Sequence, residues 1–143
     1  MLPFNFSMIW QTELQLSSFS NGCHLITNKV LAILPVLPES GLLNIFIAHT
    51  SAGLAINENA DPSVRSDLAE TLNHLVPENE DYYTHILEGS DDMPAHTKSI
   101  LTGCQLTIPV INSRLGLGVW QGIYLCEFRE SGGSRKLIIT LYS

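Results

Sequence analysis

Three polar clusters stand where apolar stretches of this chain end, and each carries side chains able to move protons, hold a cation or grip a small ligand. The first joins His49-Thr50-Ser51 to Asn57-Glu58-Asn59-Ala60-Asp61. His49 follows a run so apolar that its strand must be interior, so the imidazole emerges at a buried rim. Asp61-Pro62 is a helix start, with Asp61 as cap and Pro62 at the first helical position. The free N–H groups there attract anions. His49 and Glu58 are therefore candidate catalytic groups, with Thr50, Ser51, Asn57 and Asn59 as candidate substrate contacts. The competing account is a turn whose Asn, Asp and hydroxyl groups satisfy backbone.

The second cluster is Asp91-Asp92-Met93-Pro94-Ala95-His96-Thr97-Lys98. Two adjacent carboxylates with an imidazole four residues after Asp92 can bind a divalent cation or exchange protons. If Pro94 begins a helix, His96 lies in its first turn, where the dipole favours a neutral ring. His96 is thus a third catalytic candidate, Lys98 a substrate contact, and His49, His96 and Asp92 a metal-ligand set for Mg²⁺ or Zn²⁺. No standard zinc spacing is present. The third cluster, Trp120-Gln121-Gly122, follows the glycine-spaced Arg114 to Gly118. Trp120 is suited to stack on a flat ring while Gln121 hydrogen-bonds it, or else Trp120 is ordinary core. His24, His74 and His85 read as structural or solvated.

The elements that must hold these groups can be read from pattern. Strands are expected at Met8–Leu16, Cys23–Ile26, Leu42–Ala48 and Leu54–Glu58, the third buried on both faces. Thr27 caps a helix ending before Pro35. Val64, Leu68, Leu72 and Leu75 form one apolar stripe on a helix from Asp61 to about Pro77. Residues 78–90 are polar and form a long loop, of a kind often functional. A helix from the Asp91 region to about Leu101 precedes three strands, Cys104–Ile111, Val119–Glu130 and Arg135–Tyr142. The turns fall at Asn112-Ser113 and Ser131-Gly132-Gly133. This order is α+β, without regular βαβ alternation.

The 143 residues, 45% hydrophobic and 15% charged, suit one folded domain over 8–143. The first seven residues read as a short N-terminal extension, with Met8 an alternative start. A low charged fraction suggests surface covered by copies of the same chain. With a net charge of −7 and only seven scattered Lys and Arg, neither nucleic acid nor an anionic membrane surface is an expected partner. No stretch approaches the length of a spanning helix. Three cysteines with no C-x-x-C pair fit a reducing compartment, so the cytoplasm is the expected location.

Taken in order, the strings from His49 (HTSAGLAINENADP), Asp91 (DDMPAHTKS), Thr107 (TIPV), Trp120 (WQGIYLCE) and Gly132 (GGSR) resemble the YjbQ family, a group often labelled secondary thiamine-phosphate synthases. The resemblance covers nearly the whole chain from Met8. Gly53 departs from it, where a side chain is usual, as does Thr97, where an apolar residue is common. The resemblance implies an α+β domain with a mixed sheet, a homotrimer, and sites formed from the His49 and His96 segments near subunit boundaries. It also implies coupling of a pyrimidine pyrophosphate to a thiazole phosphate. Two alternatives stand beside that reaction: a metal-assisted hydrolase or lyase, and a non-catalytic module that binds a small phosphorylated or heterocyclic metabolite.

Overall fold

A computed structural model describes residues 8–143; the expected extension, 1–7, lies outside the described residues. Eight strands and three helices follow in the order β1 (Ile9–Leu16), β2 (Gly22–Leu25), α1 (Thr27–Leu31), β3 (Ser40–Ile47), β4 (Ala52–Glu58), α2 (Pro62–Leu75), α3 (Asp92–Thr102), β5 (Gln105–Ile111), β6 (Arg114–Leu115), β7 (Gln121–Glu127) and β8 (Arg135–Tyr142). The α+β class holds. The sheet differs in detail from the expected mixed one: every pairing among the described residues is antiparallel, in a five-stranded sheet β1-β8-β3-β5-β6 and a three-stranded sheet β2-β7-β4.

The inward faces of both sheets meet in one apolar core. Leu43, Ile45 and Ile47 from β3, Leu54 from β4, Ile108 from β5, Ile123 and Leu125 from β7 and Leu137 and Ile139 from β8 are all buried there. Each such side chain contributes about 1.5–3 kcal/mol relative to exposure. A smaller cluster of Ala95, Tyr124, Cys126 and Phe128 seats α3 on the opposite face of the small sheet.

The run around β3 is not buried on both faces. Leu43, Ile45 and Ile47 point inward, while Leu42 and Phe46 are 48% and 39% exposed. An apolar run matches a doubly buried strand by composition, yet here it belongs to a sheet covered on one side. The register places Ile9, Tyr142 and Leu42 in one row across three strands, so the uncovered face carries an apolar stripe.

Local signals locate most boundaries. Asp61 Oδ1 accepts from the Ser63 N–H at 2.8 Å, and Pro62 opens α2 as expected. The α2 stripe is only partly covered: Val64, Leu68 and Leu72 are half-buried, and Leu75 is exposed. Thr27 does not cap α1; its Oγ1 instead accepts from the Ile123 N–H at 2.9 Å, and the helix ends at Leu31. Asn112 and Ser113 both have positive φ and join β5 to β6 as a two-residue hairpin.

Candidate functional site

Helix α3 positions most of the site. It begins at Asp92, earlier than Pro94, so His96 stands one full turn into the helix and shares a face with Asp92. The loop at 78–90, which has no helix or strand, returns His85 to the same carboxylate. His85 Nε2 lies 2.7 Å and His96 Nε2 3.3 Å from Asp92 Oδ2. The ligating atoms of His85, Asp92 and His96 all fall within 4.8 Å of one another. Asp92 is 2% exposed, while His96 and His85 are 30% and 46% exposed, so the group is anchored on its carboxylate and open on its imidazole side.

One guanidinium fixes the carboxylates. Arg129 reaches Asp91 Oδ2 through Nε at 3.0 Å, Asp92 Oδ1 through Nη1, and the Glu88 carbonyl through Nη2 at 2.9 Å. Asp91 Oδ2 also accepts from the Glu130 N–H at 2.9 Å. Burial alone would raise both carboxyls. It is outweighed at Asp92 by the His85 bond and the charges of Arg129 and His96, and at Asp91 by the Glu130 and Arg129 bonds. Both stay below the usual carboxylate range. Asp91 therefore serves Arg129 rather than capping the helix through its side chain.

The tautomers follow from the partners. His96 Nδ1 lies 2.9 Å from the Thr50 carbonyl, which can only accept, so Nδ1 carries the proton. In its neutral form His96 would turn a bare Nε2 lone pair toward Asp92 Oδ2, and in its charged form the two make an ion pair. Two acceptors this close require a proton or a cation between them. That is the arrangement of a metal-binding histidine whose other nitrogen is held by a backbone carbonyl. Tetrahedral ligand bonds of about 2.0 Å place donor atoms roughly 3.3 Å apart. The His96–Asp92 separation already matches, and the His85–Asp92 gap is a hydrogen-bond length. Two imidazoles and a carboxylate fit a borderline divalent ion such as Zn²⁺ better than Mg²⁺, which favours oxygen donors.

His49 joins His96 in lining a cavity of about 370 Å³, together with Thr50, Ser99, Ile100, Gly103 and Cys104. It is not part of the donor group. Its Nε2 accepts the Lys136 N–H at 2.8 Å, which leaves the proton on Nδ1. Burial and then the Arg135 charge hold this imidazole below its ordinary range, against the opposing pull of Glu127. Among the described residues, the groups close enough to share an ion are His85, Asp92 and His96, with His49 outside that group. On the loop side, His85 lines a second hollow of about 290 Å³ with Tyr83, Ile86 and Met93.

The other candidates separate. Ser51 is buried, its Oγ accepting from Arg135 Nη2 at 3.1 Å, and Arg135 grips Glu127 through two bonds of 2.6 and 2.7 Å. Lys98 is 4% exposed, donates to Asn73 Oδ1 at 2.7 Å, and lines a different hollow with Asp91 and Phe128. Glu58 stands at the far end of β4 from Ala52, about 20 Å along the strand at 3.3 Å per residue. One of its carboxylate oxygens is buried without a partner among the described residues. Around it, Asn57 Oδ1 accepts from the Glu58 N–H, Asn59 donates to the Gln121 carbonyl, and Gln121 Oε1 accepts from the Gly118 N–H. These amides are engaged with backbone, as in the competing turn account. Trp120 is 62% exposed and is not core.

His85 is the residue that pattern reading set aside. Its signal was its place in a long polar loop seven residues before Asp92, and loops of that length in small domains tend to carry function.

Known proteins share this arrangement of sheets and helices. A conserved hypothetical protein from Thermus thermophilus superposes with a TM-score of 0.79 at 36% identity, covering 90% of this chain and 97% of that one. A YbjQ-like protein of unknown function from Sulfolobus solfataricus gives 0.84 at 21% identity, over 96% and 99%, which speaks to the fold alone. In sequence, the UPF0047 protein YjbQ of Salmonella typhimurium is 48% identical over 136 residues, 94% of this chain and 98% of its own. A UPF0047 protein of Synechocystis is 43% identical over 130 residues, 90% and 88%. The family model described as UPF0047 protein YjbQ-like matches residues 12–143, which include the whole His85–Asp92–His96 group, and the chain belongs to that family.

Proposed function

We propose that this protein is a metal-assisted hydrolase or lyase acting on a small metabolite in the cavity between His49 and His96. The carrying observation is the pair of imidazole Nε2 atoms directed at one buried oxygen of Asp92, with the His96 proton already engaged by Thr50. His85, Asp92 and His96 would hold a Zn²⁺-like ion. Such an ion supplies Lewis acidity and lowers the pKa of bound water. Arg129 keeps Asp92 ionised and oriented. His49, neutral with its proton on Nδ1, is a hydrogen-bond donor or general acid toward substrate in the shared cavity. Ile100, 84% exposed, and Gly103 add apolar lining at the open side of that cavity.

The pyrophosphate-displacing coupling implied by the family resemblance is less well supported. Stabilising a leaving pyrophosphate calls for uncommitted cations. Lys98 is buried against Asn73, Arg129 is bound to two carboxylates, and Arg135 is bound to Glu127. Self-association, as a homotrimer, is favoured by the exposed stripe of Ile9, Tyr142 and Leu42, which a neighbouring copy would cover. No helix among the described residues is long and apolar enough to cross a membrane.

The test is titration of chelator-treated protein with Co²⁺ and Zn²⁺, followed by assay against a panel of small esters, amides, phosphoesters and the two thiamine precursors. Metal binding is expected to disappear in His85→Ala and Asp92→Asn but to survive in His49→Ala, which loses turnover. Unchanged metal stoichiometry in His85→Ala and Asp92→Asn would overturn the assignment of the donor set.

A further inference from the structure

Cys23 and Cys126 are register partners on adjacent strands β2 and β7. Directly opposite residues of an antiparallel pair project to the same face, and both side chains pack in the cluster that includes Ala95 and Phe128. The ladder defines which kind of pair they form. The Ile26 N–H donates to the Ile123 carbonyl at 2.8 Å on the β2 side, and the Asn59 N–H donates to the Trp120 carbonyl at 2.8 Å on the β4 side. Alternation along β7 then directs the peptide groups of odd-numbered residues toward β2 and of even-numbered residues toward β4. Cys126 bonds toward Gly53 and faces Cys23 in a non-hydrogen-bonded pair. Such pairs place Cα atoms about 4.5 Å apart. Disulfides span roughly 4.4–6.8 Å, so closure needs no movement of the strands.

We propose that Cys23 and Cys126 form a reversible intramolecular disulfide that staples the edge strand β2 to the centre of the small sheet. The two thiols are inequivalent in the way that a two-step exchange requires. Cys23 is half-buried and reachable from solvent, whereas Cys126 is 2% exposed. The Cys126 S–H donates to Cys23 and holds the Cys23 thiol below its ordinary range, with burial opposing; the same bond and burial push Cys126 up. Cys23 is the attacking group and Cys126 the resolving one.

With a glutathione-type disulfide as oxidant, the Cys23 thiolate attacks one sulfur. The external S–S bond breaks, and one glutathione thiolate leaves and takes up a proton. Cys126 then loses its proton and attacks the Cys23 sulfur of the mixed disulfide, expelling the second glutathione thiolate, which is protonated in turn. Two cysteine thiols are oxidised by two electrons, and one external disulfide is reduced to two thiols.

Cys104 is exposed, so the experiment uses Cys104→Ser protein incubated with glutathione disulfide and analysed without reductant. Under denaturing, non-reducing conditions the expected product is a single chain with no intermolecular cross-link, is lighter by two hydrogens, and yields a cross-linked pair of peptides containing Cys23 and Cys126. Closing a loop of about 100 residues should raise Tm by on the order of 10 °C, and dithiothreitol should reverse it. Cys126→Ala should instead accumulate a stable glutathione adduct on Cys23. If that variant does not fold, Cys23→Ser, altered at the more exposed position, should show neither mass change nor Tm rise. Protein that stays fully reduced, or that keeps glutathione on Cys23 with Cys126 present, would overturn the proposal.

Discussion

Glu127→Gln is expected to unfold this protein far more easily than its size of change suggests. Glu127 is fully buried and accepts three bonds, from Arg135 Nε at 2.7 Å, Arg135 Nη2 at 2.6 Å and the Arg129 N–H at 3.0 Å. The amide keeps the shape but removes the counter-charge and turns an NH₂ toward a guanidinium donor. Ser51 then offers Arg135 only a hydroxyl and a carbonyl. Unit charges about 4 Å apart at an effective dielectric of 20 interact by about 4 kcal/mol. Removing one member of a buried pair typically costs about 3–5 kcal/mol, which agrees. At about 4 °C per kcal/mol for a chain of this size, Tm should fall by roughly 12–20 °C. Urea unfolding followed by circular dichroism measures the loss, with Arg135→Met as the complementary single change. The double variant Glu127→Leu/Arg135→Met, with no stranded charge, should recover most of the stability. A loss below about 1 kcal/mol in Glu127→Gln, or a double variant as damaged as the two singles combined, would refute the reasoning.

Arg129→Leu should weaken zinc binding about 10–100-fold by releasing Asp92, measurable by competition with a chromophoric chelator. Zinc at 100 times its Kd should stabilise the wild-type protein by about 2.7 kcal/mol, a rise in Tm on the order of 10 °C that is absent in His85→Ala. Asp91 and Asp92 have depressed pKa values, so their contribution is fully present above the ordinary carboxyl range near 3.8 and is lost as pH falls through the lower folded values. In Arg129→Leu the acid unfolding limb, followed by circular dichroism, should therefore move to higher pH. A Cβ at Gly53 would lie 1.9 Å from Thr102 Oγ1 and 3.1 Å from the Gly103 carbonyl. Gly53→Ala should accordingly cost about 1–3 kcal/mol, with partial recovery in Gly53→Ala/Thr102→Ala on the same urea assay.

Much of the architecture was legible because local chemistry and tertiary need agree. Asp61-Pro62 starts a helix, Asn112-Ser113 makes a hairpin, and period-two segments become strands. What local pattern does not encode is partner choice. The apolar run of β3 looks the same whether one or both sheet faces are covered, so its exposed half was missed. The site shows the same limit. Asp92 and His96 share a helix face and were visible as a spacing, whereas His85 arrives by loop closure and has no periodic signature. The Asn57, Glu58 and Asn59 string is close to His49 in sequence but lies a strand length away, because β4 is extended rather than turned.

Helix α3 borders several hollows: His96, Ser99 and Ile100 line one, Pro94 and Lys98 another, and Thr97 a third, while Met93 lines both that third and the His85 hollow. A helix bordering all of these chambers cannot rotate or slide for one of them without reshaping the others. If the proposed ion binds, a molecule that fills the Lys98 chamber and shifts the helix would alter its affinity at Asp92 and His96. By thermodynamic reciprocity, the ion would alter that molecule's affinity by the same factor.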